Sequence, residues 1–508
     1  MPVHSHTFFD MLRRSASLYG REVALRWNGG GLTYAELFRE TQALSVGLSD
    51  LGFAAGDRLA ILGQNTYRFL TLFGAAARIG LILVPINRRL SWEEMSHILE
   101  DTSPTAIAAD PEHGETARSL HREHSDVQRL IRLGPEMGEE GTAYEDLLRQ
   151  QSPPDPQASG DHPFLIIHTA AVQGKPRGGV LTQNNMILNA LQVMNEFALG
   201  PKDAYLNMLP LYHIMGINLA TAVLLAGGRN VIQPSFEAKE TAKLIREEEV
   251  SLLGTFPPML SSLLSEFEAS GTEKLSLRCV LGIDQQETIK AFEQKTGCLF
   301  YAIYGQTETS GLLSIAPNRD KPGSAGRPLP LVNLAIVDEY DQEVAVGEKG
   351  EIVVRGPLVF REYWNQPEIT ENIFREGWHH TGDMGKMDEE GYLFFMGRRA
   401  EKELIKSGGE NVFPVEVEKA ILEHPRIREV SVIGVPDSRF GEGIKAICVL
   451  EEGAEVEQKE LSDFVAGRIA GYKKPRYITF ASYLPKTEDG SIDRDEVKRL
   501  YGASDASE

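Results

Sequence analysis

The chain has 508 residues, a formal net charge of -21, and 42% apolar against 25% charged residues. These proportions exclude a disordered or fibrous polypeptide, and the length exceeds what one hydrophobic core normally holds. No long Lys/Arg run is present, so the basic stripe that displaces counterions from nucleic acid is missing, although a local cleft with a few cations, amides or a metal ion can still hold a nucleotide.

The start, MPVHSHTFFDMLRRSASLYG, has no continuous apolar signal-peptide core. TYAELFRETQALSVGLSDLG then reads as an amphipathic helix, RLAILGQN as a strand and turn, and FLTLFGAAARIG as a helix. The apolar stretch Leu70 to Ile86 is too interrupted to span a bilayer. Further on, Phe164–His168 reads as a strand, Asn184–Phe197 as a helix, Gly228–Gln233 as a strand and Ala238–Glu248 as a helix. This alternation predicts an α/β fold, a large multi-lobed N-terminal domain with α/β sub-lobes. From Gly347 the texture changes to Gly-punctuated, β-branched segments, which predicts a β-rich lobe closing that domain.

After Arg398 a charged stretch, RAEKELIKSGGEN, leads into a fresh unit: helix Val415–His424, strands Val430–Val435 and Ala446–Leu450, and helix Lys459–Ile469. The expected division is residues 1–400 for the large domain and 401–508 for a small mobile α+β C-terminal domain, ending in a disordered GASDASE tail. Cys279, Cys298 and Cys448 lack C-x-x-C spacing. They indicate neither a disulfide framework nor a zinc site, and a cytoplasmic, reducing compartment fits them.

The chemistry-bearing residues begin with TAAVQGKPRGGVLTQNN, 169–185, a Gly- and base-containing loop expected to follow a strand and precede a helix. Such a loop can present N–H groups to phosphate, and in isolation it also reads as an ordinary turn. Its sequence resembles the phosphate loop of the adenylate-forming superfamily of acyl-CoA synthetases, TSGTTGxPKGVxxTHxN. Thr169, Gly174, Pro176, Gly178, Leu181, Thr182 and Asn185 match, Arg177 stands for the family lysine, and Ala170 to Gln173 replace Ser-Gly-Thr-Thr.

The resemblance continues in order along nearly the whole chain. LPLYHIMGI (209–217) is similar to the acyl-pocket segment, with His213 beside the carboxylate; alone, His213 would read as a core histidine. YGQTET (304–309) matches YGxTE, which implies Tyr304 stacking on adenine, Thr307 at the α-phosphate and Glu308 on magnesium. HTGDMG (380–385) makes Asp383 the ribose ligand, and GEIVVRGPLVFREYWN (350–365) carries Glu362 where the family has glycine. Arg398 aligns with the ribose-contacting arginine, and Ser407, Gly408, Gly409, Glu410 and Asn411 match the loop lining the CoA channel, with two extra residues before it. Glu403 falls at the hinge position, and Tyr472, Lys474 and Pro475 match YKxP, which places Lys474 among the cofactor-binding residues.

LPKTEDGSIDR (484–494) departs most. The family lysine that bridges carboxylate and α-phosphate is Ser491 here, and Lys486, Lys402 and Arg177 are the cations expected to substitute, in that order of chain proximity. The resemblance implies an acid-CoA ligase that uses ATP, Mg2+ and CoA and passes through an acyl-adenylate. Two alternatives follow from the departures: an impaired member that binds nucleotide or acyl-CoA as a sensor or partner protein, or a ligase loading a carrier protein. The acyl pocket is expected around Leu209–Asn218, Phe256–Leu260 and Gly282–Asp284, which leaves aliphatic and aryl acids both open.

Overall fold

A computed structural model of the chain describes residues 6–137, 140–149, 158–169, 176–269, 275–398, 404–487 and 492–502. Two large sheets dominate it. The eight-stranded sheet has at its centre Ile82–Ile86, Arg58–Leu62 and Ala106–Ala109, which pair in parallel. Their unbroken apolar runs, where alternation would mark a half-exposed strand, are the signature of strands covered on both faces. The nine-stranded sheet runs through Leu252–Thr255, Cys279–Gly282 and Leu299–Gln306, again parallel, and then turns antiparallel into Gly311–Pro317.

Between the sheets lie two helices that are buried along nearly their whole length. Every residue of Ile214–Ala226 is buried, as is Phe69–Ile79 within Tyr67–Ile79. A helix apolar all round belongs in a core, and one core cluster joins Ile61 and Leu83 of the first sheet to Leu252 and Leu281 of the second through these helices. The amphipathic helix Tyr34–Asp50 packs outside, started by a capping box between Thr33 and Glu36.

One local expectation is corrected. Arg177–Thr182 is a strand, paired with Pro163–Thr169 on one side and Glu362–Tyr363 on the other, so the Gly-rich loop connects two strands. The β-prone Val180-Leu181 pair is buried in that ladder. The following helix, Gln183–Glu196, is closed by its own capping box from Thr182 to Asn185, so its N-terminal amides are already engaged.

A five-stranded antiparallel sheet, including Gly350–Arg355, Trp378–Met387 and Leu393–Arg398, forms the β-rich lobe. The smaller C-terminal domain has its own sheet, built on the long pair Ile427–Asp437 and Gly441–Leu450. Its core, with Val417, Ile421, Val432, Ile444 and Leu461, is separate from that of the large domain. The expected division at residue 400 and the GASDASE segment from residue 503 onward lie outside the described residues. Among the described residues no helix is long and apolar enough to cross a membrane.

Candidate active site

The nine-stranded sheet delivers the first site residues where its parallel order reverses. Leu299–Gln306 and Gly311–Pro317 are joined by the single turn Thr307–Thr309, with a register shift between Tyr304 and Gly305. Only glycine fits at 305, since a Cβ would lie 1.6 Å from the Gly311 carbonyl oxygen. The tight turn exposes Tyr304, Gln306, Thr307 and Glu308 to one cavity of about 280 Å³.

Asp383 meets them from the β-rich lobe, directly opposite Arg398 in the strand register. The Arg398 Nε lies 2.9 Å from Asp383 Oδ1, while the Tyr304 hydroxyl and the Gln306 amide donate to Oδ2 at 2.9 and 2.6 Å. Asp383 is 1% exposed, a burial that a carboxylate tolerates only with such partners. Its strand is fixed in turn by Gly382 N–H donating to Glu351 at 2.8 Å and by Thr381 donating to the Ile352 carbonyl. Burial, reinforced by the Asp383 charge, holds the Tyr304 phenol well above its ordinary pKa, so it remains a donor.

Glu308 sits one turn away. Its Oε1 accepts from the Tyr363 hydroxyl at 2.8 Å and from Thr169 at 3.3 Å, and Oε2 has no hydrogen-bond partner among the described residues. The Arg177 guanidinium lies 5.9 Å from the Tyr363 ring centroid, and Gly178 accepts from the Trp364 N–H at 2.7 Å, tying that block to the strand. No group of three or more His, Cys, Asp or Glu side chains able to cage a metal exists among the described residues. A lone carboxylate therefore suits a hard cation whose remaining ligands are phosphate oxygens and water, as magnesium prefers.

The opposite wall is apolar. Ile214, Met215, Phe256, Met259, Ile283 and Ile303 line it, drawn from the segments that sequence alone pointed to, with Ile303 added. His213 caps this wall at the start of the buried helix. Closing the site from the small domain is the hairpin of Ile405–Ser407 and Glu410–Val412, whose turn residues Gly408 and Gly409 have φ of +61° and +84°. An added Cβ would meet the Phe440 ring at 2.8 Å from Gly408 and Phe256 at 3.2 Å from Gly409. Ser407 is buried beneath the turn, while Glu410 projects into the cavity. Arg89 donates to Glu410 at 3.0 Å and Asn87 at 3.3 Å, with His213 Nε2 at 3.4 Å. Burial works to raise the Glu410 pKa, but His213, Arg89 and Asn87 more than offset it and hold the carboxyl below its ordinary range.

With this geometry in view, the comparisons with known proteins are direct. The family model of AMP-binding enzymes matches residues 12–364, and that of the AMP-binding enzyme C-terminal domain matches 416–491. The chain belongs to the AMP-binding enzyme family. It is 34% identical over 501 residues to an indoleacetate–CoA ligase of Aromatoleum aromaticum, covering 97% of both chains. A feruloyl-CoA synthase of an Amycolatopsis species is 34% identical over 96% of this chain and 98% of its own. Among solved structures, a double mutant of o-succinylbenzoate CoA synthetase from Bacillus subtilis, bound to a product analogue, superposes with a TM-score of 0.85 at 28% identity, covering 97% and 98%. The protein is an ATP-dependent, AMP-forming acid-CoA ligase.

Several residues expected at the site of this AMP-binding enzyme are placed elsewhere or not described. Gly174, Glu403, Lys402 and Ser491 lie outside the described residues. Lys486 pairs with Glu429 at 3.1 Å and does not line the cavity, so of the described cations named as substitutes for the missing lysine only Arg177 does. Lys474 is exposed and also outside the cavity; the short turn Gly471–Lys473 directs the neighbouring Lys473 inward instead. Conversely, Gln306, Tyr363, Asn87, Arg89 and Lys406 belong to the cavity or its polar partners and were not singled out. Tyr363 lies inside the recognised block at 350–365, a usable signal. Asn87 and Arg89 sit in an ordinary charged turn, which carries none.

Proposed function

We propose that this ligase activates an apolar, ring-bearing carboxylic acid through an acyl-adenylate and transfers the acyl group to CoA. The observation that carries it is one continuous cavity with a polar end at Tyr304, Gln306 and Arg398, interlocked from behind by the buried Asp383, then Glu308, and an apolar wall from Ile214 to Ile303. In this reading Tyr304 packs on adenine and Asp383 and Arg398 hold the ribose. Thr307, Thr169 and Arg177 face the phosphates, and Gly174 and Gly178 leave room for them. Glu308 would hold magnesium, which would supply positive charge against the phosphates.

The acid carboxylate attacks the α-phosphorus, forming a P–O bond as pyrophosphate leaves. After the small domain turns, the CoA thiol reaches the acyl carbon past Gly408 and Gly409, forming the thioester as AMP departs and the thiol proton passes to solvent. His213 sits beside the acyl carboxylate, and Glu410 belongs to the loop that lines the CoA channel. Among the described residues those of the apolar wall are uncharged, so an acid with a second charge has no partner along it, and a flat hydrophobic ring does. The indoleacetate and feruloyl relatives support this choice. Three buried free cysteines support a reducing, cytoplasmic setting.

The test is AMP release dependent on ATP, acid and CoA, with indoleacetate, ferulate, palmitate and malonate, and mass detection of the thioester. Ring-bearing acids should turn over fastest and malonate not at all. Acyl-adenylate that forms but passes only to a carrier protein, or nucleotide binding without any AMP release, would overturn the reading in favour of the carrier-loading or impaired-binder alternatives.

A further inference from the structure

The small domain meets the large one through a second polar contact, away from the cavity. Lys473 is 2% exposed, and its ammonium bonds Glu416 Oε1 at 2.6 Å and also Glu94 Oε1. Glu416 and Lys473 both belong to the small domain, whereas Glu94 belongs to the large-domain helix Trp92–Thr102. Burial disfavours the charge on Lys473, but the two carboxylates more than offset it and its pKa lies above the ordinary lysine value.

We infer that Glu94 and Lys473 are positioning residues that hold the small domain in the orientation that seats the Gly408–Glu410 turn in the cavity. The inference rests on the two-step ligase reading above. Glu94 is set for this by its own domain: its other oxygen, Oε2, accepts from the Ser91 N–H at 2.7 Å in a capping box, so Oε1 is presented to Lys473 without rearrangement. The same short stretch supplies the cavity contacts, since Asn87 and Arg89 hold Glu410 and the Arg89 guanidinium stacks 4.8 Å from the Tyr472 ring centroid. Residues 87–94 thus form one seat for both the turn and the latch.

The second carboxylate makes the latch reversible. When the small domain turns away, Lys473 keeps Glu416, so no unpaired ammonium is left behind, which would otherwise be the main penalty of separating a buried pair. Glu94 returns to water at a helix N-terminus, where a carboxylate is favoured. A contact that only strengthened folding would not need a lysine shared between a partner that travels with it and a partner that does not.

The test separates the two half-reactions, using the acid that turns over best in the panel above: pre-steady-state pyrophosphate release, and acyl transfer from preformed acyl-adenylate to CoA. Glu94→Gln retains the capping box, because glutamine serves equally at that position. It should slow acyl transfer about tenfold, the scale of a typical coupling between sites, and leave pyrophosphate release unchanged or faster. Lys473→Gln should be worse, since Glu94 and Glu416 then face each other unscreened. Adding Glu94→Gln to it should recover part of the loss, a sign reversal that a purely structural role would not produce. Wild-type acyl transfer in Glu94→Gln, a parallel fall of both half-reactions, or additive losses in the double variant would overturn the latch. Failure of the ligase reading is visible separately, as wild-type protein that transfers no acyl group to CoA.

Discussion

Asp383 and Glu410 are both buried carboxylates, the first behind the cavity wall and the second in it, and they are secured in different ways. Among the described residues the side-chain partners of Asp383, namely Tyr304, Gln306 and Arg398, reach it from the same side of the domain division. Glu410 comes from the small-domain hairpin, and its partners Asn87, Arg89 and His213 come from the large domain. The first network is preorganised whatever the small domain does. The second exists only when the domains are docked, so in the proposed two-step reaction the end at Tyr304 and Arg398 stays constant while the other end is made and unmade.

Damage to the constant end should impair the first half-reaction. Glu308→Ala removes the carboxylate proposed to hold a phosphate-bridging cation and should slow acyl-adenylate formation on the order of 10²–10³-fold, while nucleotide affinity falls less. AMP release at the wild-type rate and ordinary magnesium would break the comparison. Ser491→Lys adds a cation to the segment that carries one in the resembling family. Pyrophosphate release should accelerate by up to about 10²-fold with acyl transfer little changed. Unchanged or slower adenylation would mean that the site is built around serine.

The docked end predicts the converse selectivity. Glu410→Gln keeps the shape but leaves Arg89 and His213 facing a neutral side chain. Acyl transfer to CoA should fall roughly tenfold, about 1.4 kcal/mol, and pyrophosphate release should hold. Equal loss of both steps would show that Glu410 serves the nucleotide end as well.

The smallest effect concerns Asp284, beside Ile283 of the apolar wall and next to Gln285, which donates to the small-domain Asp437 carbonyl at 3.4 Å. Burial pushes its carboxyl from 3.8 up to about 6. A raised carboxyl favours folding in its protonated form, so its contribution is present below about pH 4 and is lost as pH rises through about 6. Asp284→Asn should therefore stabilise the protein near pH 8 by about 1 kcal/mol, well short of the full electrostatic value because the carboxyl is partly solvated. The gain should vanish near pH 4 in paired thermal unfolding scans.

Sequence alone was sufficient where the determining information is local. Apolar spacing at 33–52 and 69–80 foretold helices, the short run at 164–168 foretold a strand, and contiguous motifs pointed to Tyr304, Glu308 and Arg398, which line one cavity, and to Asp383, which bonds to two of them from behind. The strand at Arg177–Thr182 escaped notice because its identity depends on pairing with residues 163–169 and 362–363 and not on its own short pattern. Contacts across the domains were illegible for a deeper reason. Arg89 with Glu410 and Glu94 with Lys473 join positions more than 300 residues apart, and although Glu410 lies in a recognisable loop motif, the local sequences of Arg89, Glu94 and Lys473 do not differ from those of solvated charges. Whether Lys473 or Lys474 turns inward was likewise decided by the short turn at 471–473 and the large-domain helix it meets. A charge becomes structural only when folding removes its water and supplies a partner, and that is a property of the assembled surface.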